Sequence, residues 1–174
     1  MRHSLLALPA LAAAAALSPL PANAATPDWL KQLESQPLPP HDEETAAVQL
    51  LDETELTLLP DGSQRSVQRS AFRILRREGK EFGIVTAHYD KNGKVVRMKG
   101  WGLPRSGKPF EVDMRDAVET ALVPGTEASL ITTARMKVLS IPAANPGNIV
   151  GYEIETLSRP VIVGEVWSPQ SGIP

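Results

Sequence analysis

The sequence predicts a mostly-β domain, an antiparallel β-sandwich-like fold with one or two short helices. Three features carry this expectation. Several stretches alternate apolar and polar side chains with the period of two that marks a half-buried strand. Turn-forming clusters rich in Pro, Gly, Asn and Asp separate them at short intervals. The chain holds 16 prolines, which disfavour long helices, and no periodic stretch is long enough to suggest one.

The first residues belong to an address, not to the fold. Arg2 and His3 precede the apolar run Leu5–Leu17, and Ala22-Asn23-Ala24 places small residues before Ala25. This order describes a secretory signal peptide over residues 1–24, and the run is shorter than the roughly 20 apolar residues a spanning helix needs. The expected location is periplasmic or secreted, with no membrane span after cleavage. There is no Cys, which removes thiol nucleophiles, thiolate metal sites and disulfides, so the core alone must hold the domain.

Residues 25–44 read as a short helix followed by a Pro-rich linker. Thr26 is placed as N-cap, Pro27 at the first helical position and Asp28 at the positive end of the dipole, with Trp29, Leu30 and Leu33 on one face. Pro37-Leu38-Pro39-Pro40 ends the helix.

The sandwich-like domain is assigned to residues 45–174, with about seven strands. Thr45–Leu59 and Ser63–Leu75 form a hairpin around Pro60-Asp61-Gly62. A three-residue loop with Gly in the left-handed conformation makes facing residues sum to 122. Leu50 is then expected opposite Phe72, Val48 opposite Ile74, and Glu53 opposite Arg69. Leu51 and Leu59 break the alternation.

Phe82–Tyr89 suits either a strand or one helical turn. Lys91-Asn92-Gly93 reads as a hairpin loop before a strand Val95–Leu103. Arg105-Ser106-Gly107-Lys108 is a turn before a short strand Pro109–Val112. Asp113–Leu122 has helical residues, and Val123–Ser129 reads as a loop. Arg135–Trp167 reads as a strand pair joined at Asn145-Pro146-Gly147. In its second strand Val150, Tyr152 and Ile154 face one way, and Gly151, Glu153 and Glu155 the other, as an exposed polar face.

Charge is uneven along the chain. Residues 25–61 hold 1 Lys/Arg against 9 Asp/Glu, and residues 62–115 hold 13 against 5. A basic block can mark a nucleic-acid surface. Acidic and basic strands lying side by side are the preferred explanation, so no nucleic-acid partner is assigned.

Gly102–Lys108 matches the spacing of a phosphate loop, but Pro109 stands where the motif needs a hydroxyl and a backbone N–H. His41 with Asp42, Glu43 and Glu44 offers oxygen ligands for a hard cation, or simply a solvated linker. His88 has no partner promised by spacing. Glu153 and Glu155, roughly 6.5–7 Å apart along a strand, fall within the separation of glycosidase carboxylates, about 5–9.5 Å. No catalytic, cofactor or metal residue is assigned. The one candidate binding surface is Trp101, flanked by glycines, with Arg97, Lys99 and Arg105 nearby. It suits a sugar or peptide platform, a docking anchor, or core packing.

Taken in order, three landmarks resemble a known family. They are Ala47-Val48-Gln49-Leu50-Leu51-Asp52-Glu53 followed by Asp61-Gly62; Phe72-Arg73-Ile74-Leu75 with Gly79 and Tyr89-Asp90; and Arg135-Met136-Lys137-Val138, Ile141-Pro142, Pro146-Gly147-Asn148-Ile149-Val150-Gly151-Tyr152-Glu153, Arg159-Pro160 and Trp167. Over about Thr45–Trp167 the chain resembles the domain of unknown function that precedes the transglutaminase-like core of secreted bacterial proteins.

The resemblance implies a non-catalytic accessory or interaction domain, whose partner is a Cys-His-Asp core in cis or in trans. Family members usually continue past the point where this sequence ends, so a fragment, a truncated product and a stand-alone relative all remain open. The alternative is a stand-alone periplasmic module binding peptides or peptidoglycan fragments.

Overall fold

The computed structural model describes residues 26–121, 134–142 and 144–159. The expected signal peptide, the loop Val123–Ser129 and Trp167 lie outside the described residues. The chain opens with α1 (Asp28–Gln32), continued by a 3-10 turn Leu33–Ser35. Eight strands follow: β1 (Ala47–Leu58), β2 (Gln64–Ile74), β3 (Ile84–Tyr89), β4 (Gly93–Leu103), β5 (Phe110–Asp113), β6 (Val118–Ala121), β7 (Arg135–Ser140) and β8 (Ile149–Ser158). Short 3-10 segments, Arg77–Gly83 and Met114–Asp116, precede β3 and β6.

The strands form two antiparallel sheets, one of five strands ordered β1-β2-β8-β4-β5 and one of three ordered β3-β7-β6. The mostly-β, sandwich-like expectation is therefore met. Two expected pairings are not. β7 and β8 flank the predicted turn, where Asn148 N–H donates to the Asn145 carbonyl, yet they lie in different sheets. β3 and β4 likewise separate at Asp90–Asn92, although Gly93 N–H bonds back to Asp90 as in a tight turn. In both places the chain reverses by crossing from one layer to the other, so the turn chemistry holds while the hairpin does not.

The β1–β2 hairpin forms as its loop dictates. Gly62 has φ +78° and its N–H reaches the Leu59 carbonyl, and Leu59 N–H bonds Ser63. The Asp61 carboxylate accepts from the Ser63 N–H and hydroxyl, closing the loop. Register follows the predicted sum from Leu58↔Gln64 to Leu51↔Ala71, including Glu53↔Arg69. A bulge between Gln49 and Leu51 then shifts it by one, so Val48 faces Arg73 and Ala47 faces Ile74. Leu50 does not face Phe72 as expected. The bulge adds one residue to β1, which puts Leu50 and Leu51 on the same side of the sheet and explains the broken alternation at Leu51.

One face of the five-stranded sheet packs on the three-stranded sheet. Phe72, Ile74, Met98, Val150 and Ile154 meet Val85, Ala87, Leu139 and Ile141 in this core. The Phe72 and Phe82 rings stack with centroids 4.8 Å apart. The opposite face carries a second core of Val48, Leu50, Ala71, Trp101, Leu103 and Ile149, closed by Leu30 from α1.

Residues 25–44 are thus more than a linker in the described part. Leu30 is fully buried, which stabilises by about 2 kcal/mol on transfer grounds. Its Cδ1 would stand 2.7 Å from a Cβ at Gly151, so any other residue there makes the buried Leu30 side chain shift. The Arg73 guanidinium donates to the Leu33 and Glu34 carbonyls, tying down the end of the helical segment. Pro27, not Thr26, occupies the cap position, with no side-chain cap, and Thr26 is buried. Among the described residues no helix is long and apolar enough to cross a membrane.

Candidate functional site

The outward face of the five-stranded sheet beyond the helix is charged, and its charges follow the register. Glu53 on β1 faces Arg69 on β2, which faces Glu153 on β8, which faces Lys99 on β4, which faces Asp113 on β5. One row across all five strands therefore alternates acid and base. Opposite charges directly across a pair favour that pairing, so the row supports the strand order as well as the register.

The side chains tighten this row into a network. Arg69 Nε donates to Glu153 Oε2 at 2.6 Å, and Arg97 Nη2 lies 2.9 Å from Glu153 Oε1. Arg97 also reaches Glu155 at 3.2 Å, and Arg65 Nε donates to Glu155 at 2.6 Å. Glu53 lies farther from Arg69, at 3.5 Å. Only 6% of Glu153 is exposed, against the exposed face expected for it. Its burial is compensated by guanidinium groups on either side, as a buried carboxylate requires. The Arg65 hydrogen bond, with Arg97 adding charge, holds the Glu155 carboxyl below its ordinary range. A glycosidase acid needs the opposite shift, and here each Glu155 oxygen is held by a guanidinium, Oε1 by Arg65 and Oε2 by Arg97.

The sequence-predicted surface is rearranged. Trp101 is only 4% exposed. Its ring meets the Trp29 ring edge-on at 5.8 Å, and its N–H donates to Glu111 Oε2 at 3.0 Å. The expectation that flanking glycines leave the ring open is corrected, because α1 covers it; the ring packs into a core with Leu30, the role preferred for it over a sugar or peptide platform. Lys99 binds the other oxygen of Glu111 at 2.6 Å. Arg97 and Lys99 thus both sit in the charged face, engaged by carboxylates. Arg105 lies apart in the β4–β5 loop, where its backbone N–H donates to Asn148 Oδ1. The four residues do not form one site.

Other candidates fall out similarly. Gly102–Lys108 runs from the end of β4 into the loop before β5, as read. The Asp42 side chain accepts from Glu44 N–H and the Thr45 hydroxyl, an Asx-type turn, and His41 Nδ1 lies 2.8 Å from the Pro39 carbonyl. Among the described residues no three His, Asp or Glu side chains gather as metal ligands. His88 is exposed on β3.

Sequence reasoning missed two groupings. One is Glu111 as the common acceptor for Lys99 and Trp101. The other is Glu119 on β6, which accepts from Lys137 at 2.6 Å and Arg135 at 2.8 Å on β7 and from the Tyr89 phenol on β3. Lys137, then Arg135 and Tyr89, hold its carboxyl at about 2. This cluster pins the three-stranded sheet together. Its members come from three separate strands, and only the pairing of β3 and β6 with β7 brings them together.

The chain is a two-sheet antiparallel domain whose outer face is covered by a helix and a row of ion pairs. The chain belongs to the family of the domain of unknown function DUF3857, whose match spans residues 60–173. The match begins at the β1–β2 loop and so leaves β1 and α1 outside it. A crystal structure of a "putative protease" from Parabacteroides distasonis ATCC 8503 is similar, with a TM-score of 0.58 and 14% identity. The similarity covers 66% of this chain and 23% of that one, so the chain spans less than a quarter of that protein, and what the two share is the fold. No curated protein matches the chain.

Proposed function

We propose that this chain is an exported, non-catalytic accessory domain that acts with a transglutaminase-like core, in cis or in trans. The observation that carries the reading is the recurrence of its fold as less than a quarter of a longer protein described as a "putative protease". A fold that accompanies a larger chain in this way suits a module that positions or supports a catalytic domain. The engaged carboxylates of Glu153 and Glu155 support a structural role for the most chemically suggestive pair in the sequence. The order Arg2, Leu5–Leu17 and Ala22-Asn23-Ala24 supports export to the periplasm or beyond.

The alternative, a stand-alone peptide- or glycan-binding module, was motivated by an open Trp101. Burial of that ring removes the motive. Titration calorimetry of the full chain against a transglutaminase-like core from the same host tests the proposal in trans, with saturable binding expected. The reading frame beyond codon 174 tests it in cis, where a downstream Cys followed by His and Asp is expected. Failure of both overturns the reading.

A further inference from the structure

β1 is an edge strand. Among the described residues it pairs only with β2. Leu59 bonds Ser63 across the closing pair, so Leu51, Glu53, Glu55 and Thr57 turn their backbone groups toward β2. Alternation then directs the N–H and C=O groups of Asp52, Thr54, Leu56 and Leu58 outward. On β2, Ile74 N–H bonds Asn148 on the β8 side, which gives the same parity. The outward stretch lies beyond the bulge and is straight in register.

This edge has a distinct chemistry. β1 carries Asp52, Glu53 and Glu55 and no Lys or Arg. Leu56 and Leu58 are exposed, Leu58 to 76%. Acidic Glu53 and Glu55 lie on one face of the strand, and Leu56 and Leu58 on the other. Edge strands are usually protected from further pairing, most often by Lys. Here the protecting charges are acidic, so they repel a like-charged strand and admit one of the opposite sign.

We propose that the outer edge of β1, from Asp52 to Leu58, accepts an extended segment of another polypeptide in which Lys or Arg alternates with aliphatic residues. Its basic side chains would stand beside Glu53 and Glu55, its apolar ones beside Leu56 and Leu58, and its backbone would pair with the four outward residues. A second copy of the chain is the wrong occupant. The antiparallel register that pairs all four outward residues of two β1 edges sets Glu55 directly against Glu55, and like charges directly opposite destabilise. The proposal rests on the edge alone and stands whether or not the partner is a transglutaminase-like core.

The test uses the full chain and a synthetic peptide of alternating Lys and Val, with a Glu–Val peptide as control, followed by residue-resolved amide exchange. The Lys–Val peptide is expected to slow exchange at Asp52, Thr54, Leu56 and Leu58 by roughly tenfold, since only open amides gain protection. Amides at Glu53, Glu55 and Thr57, already paired, should not change, and added salt should reverse the effect. Leu56→Pro removes one outward donor while sparing the β2 ladder and should abolish the protection. Glu55→Lys, at an exposed side chain, should weaken it independently. Absence of protection at the four amides overturns the proposal. So does equal protection by the Glu–Val peptide, or protection of the same amides by the chain's own concentration without peptide.

Discussion

Arg69 and Glu153 face each other in register on neighbouring strands, with Nε and Oε2 2.6 Å apart at the centre of a five-strand row of alternating charge. Replacing Glu153 by Gln leaves half-buried Arg69 and exposed Arg97 without their shared anion. Because both cations retain access to water, the expected loss is about 1–3 kcal/mol, below the 3–5 kcal/mol of a fully buried broken pair. Chemical denaturation of the variant measures it, and the midpoint should fall with an unchanged slope.

Leu30 and Gly151 form a lock between helix and sheet. Gly151→Ala forces Leu30 out of its seat and should cost about 1–3 kcal/mol by overpacking. Leu30→Ala should cost about 2–5 kcal/mol through the cavity it leaves. The double variant should lose less than the sum, because each change relieves the other's defect. Thermal unfolding of the four proteins gives the coupling directly.

Acid should weaken the fold through named carboxyls. Glu119 is held at about 2 from an ordinary 4.5, chiefly by Lys137. Asp61 is held at about 2 by Ser63, and Asp113 at about 2 by Arg115. A carboxyl depressed in the folded state contributes stability that is complete above its unfolded value and lost as pH falls through its folded one. The melting temperature should therefore drop between pH 4.5 and about 2. Glu119→Gln should lower it near neutrality, and the gap from the parent should close toward pH 2.

Much of this fold is legible in the sequence where structure is local. Pro60-Asp61-Gly62 dictates its loop, and the loop dictates register as far as Leu51. The bulge leaves its trace as the broken alternation at Leu51, a signal visible in advance but not placed. The partition of strands between sheets is not legible, because Asp90–Gly93 and Asn145–Asn148 encode only a reversal. Whether the chain then pairs with its neighbour or crosses to the other layer depends on distant partners. The same holds for Trp101: its flanking glycines suggest exposure, and the covering residue, Trp29, comes from the far end of the chain. The charged row was half visible, as an acidic block and a basic block. Its centre, Glu153, lies on a strand outside both.

The most direct test of the account is an assay of amide hydrolysis and γ-glutamyl transfer by the purified full chain. It should be run alone and with a transglutaminase-like core from the same host. The account predicts no turnover by the chain alone, unchanged by a thiol-alkylating reagent because the chain has no Cys, and a shift in the core's KM or thermal stability when the chain is added. Turnover that survives the reagent, follows the chain through purification and needs no core would contradict it.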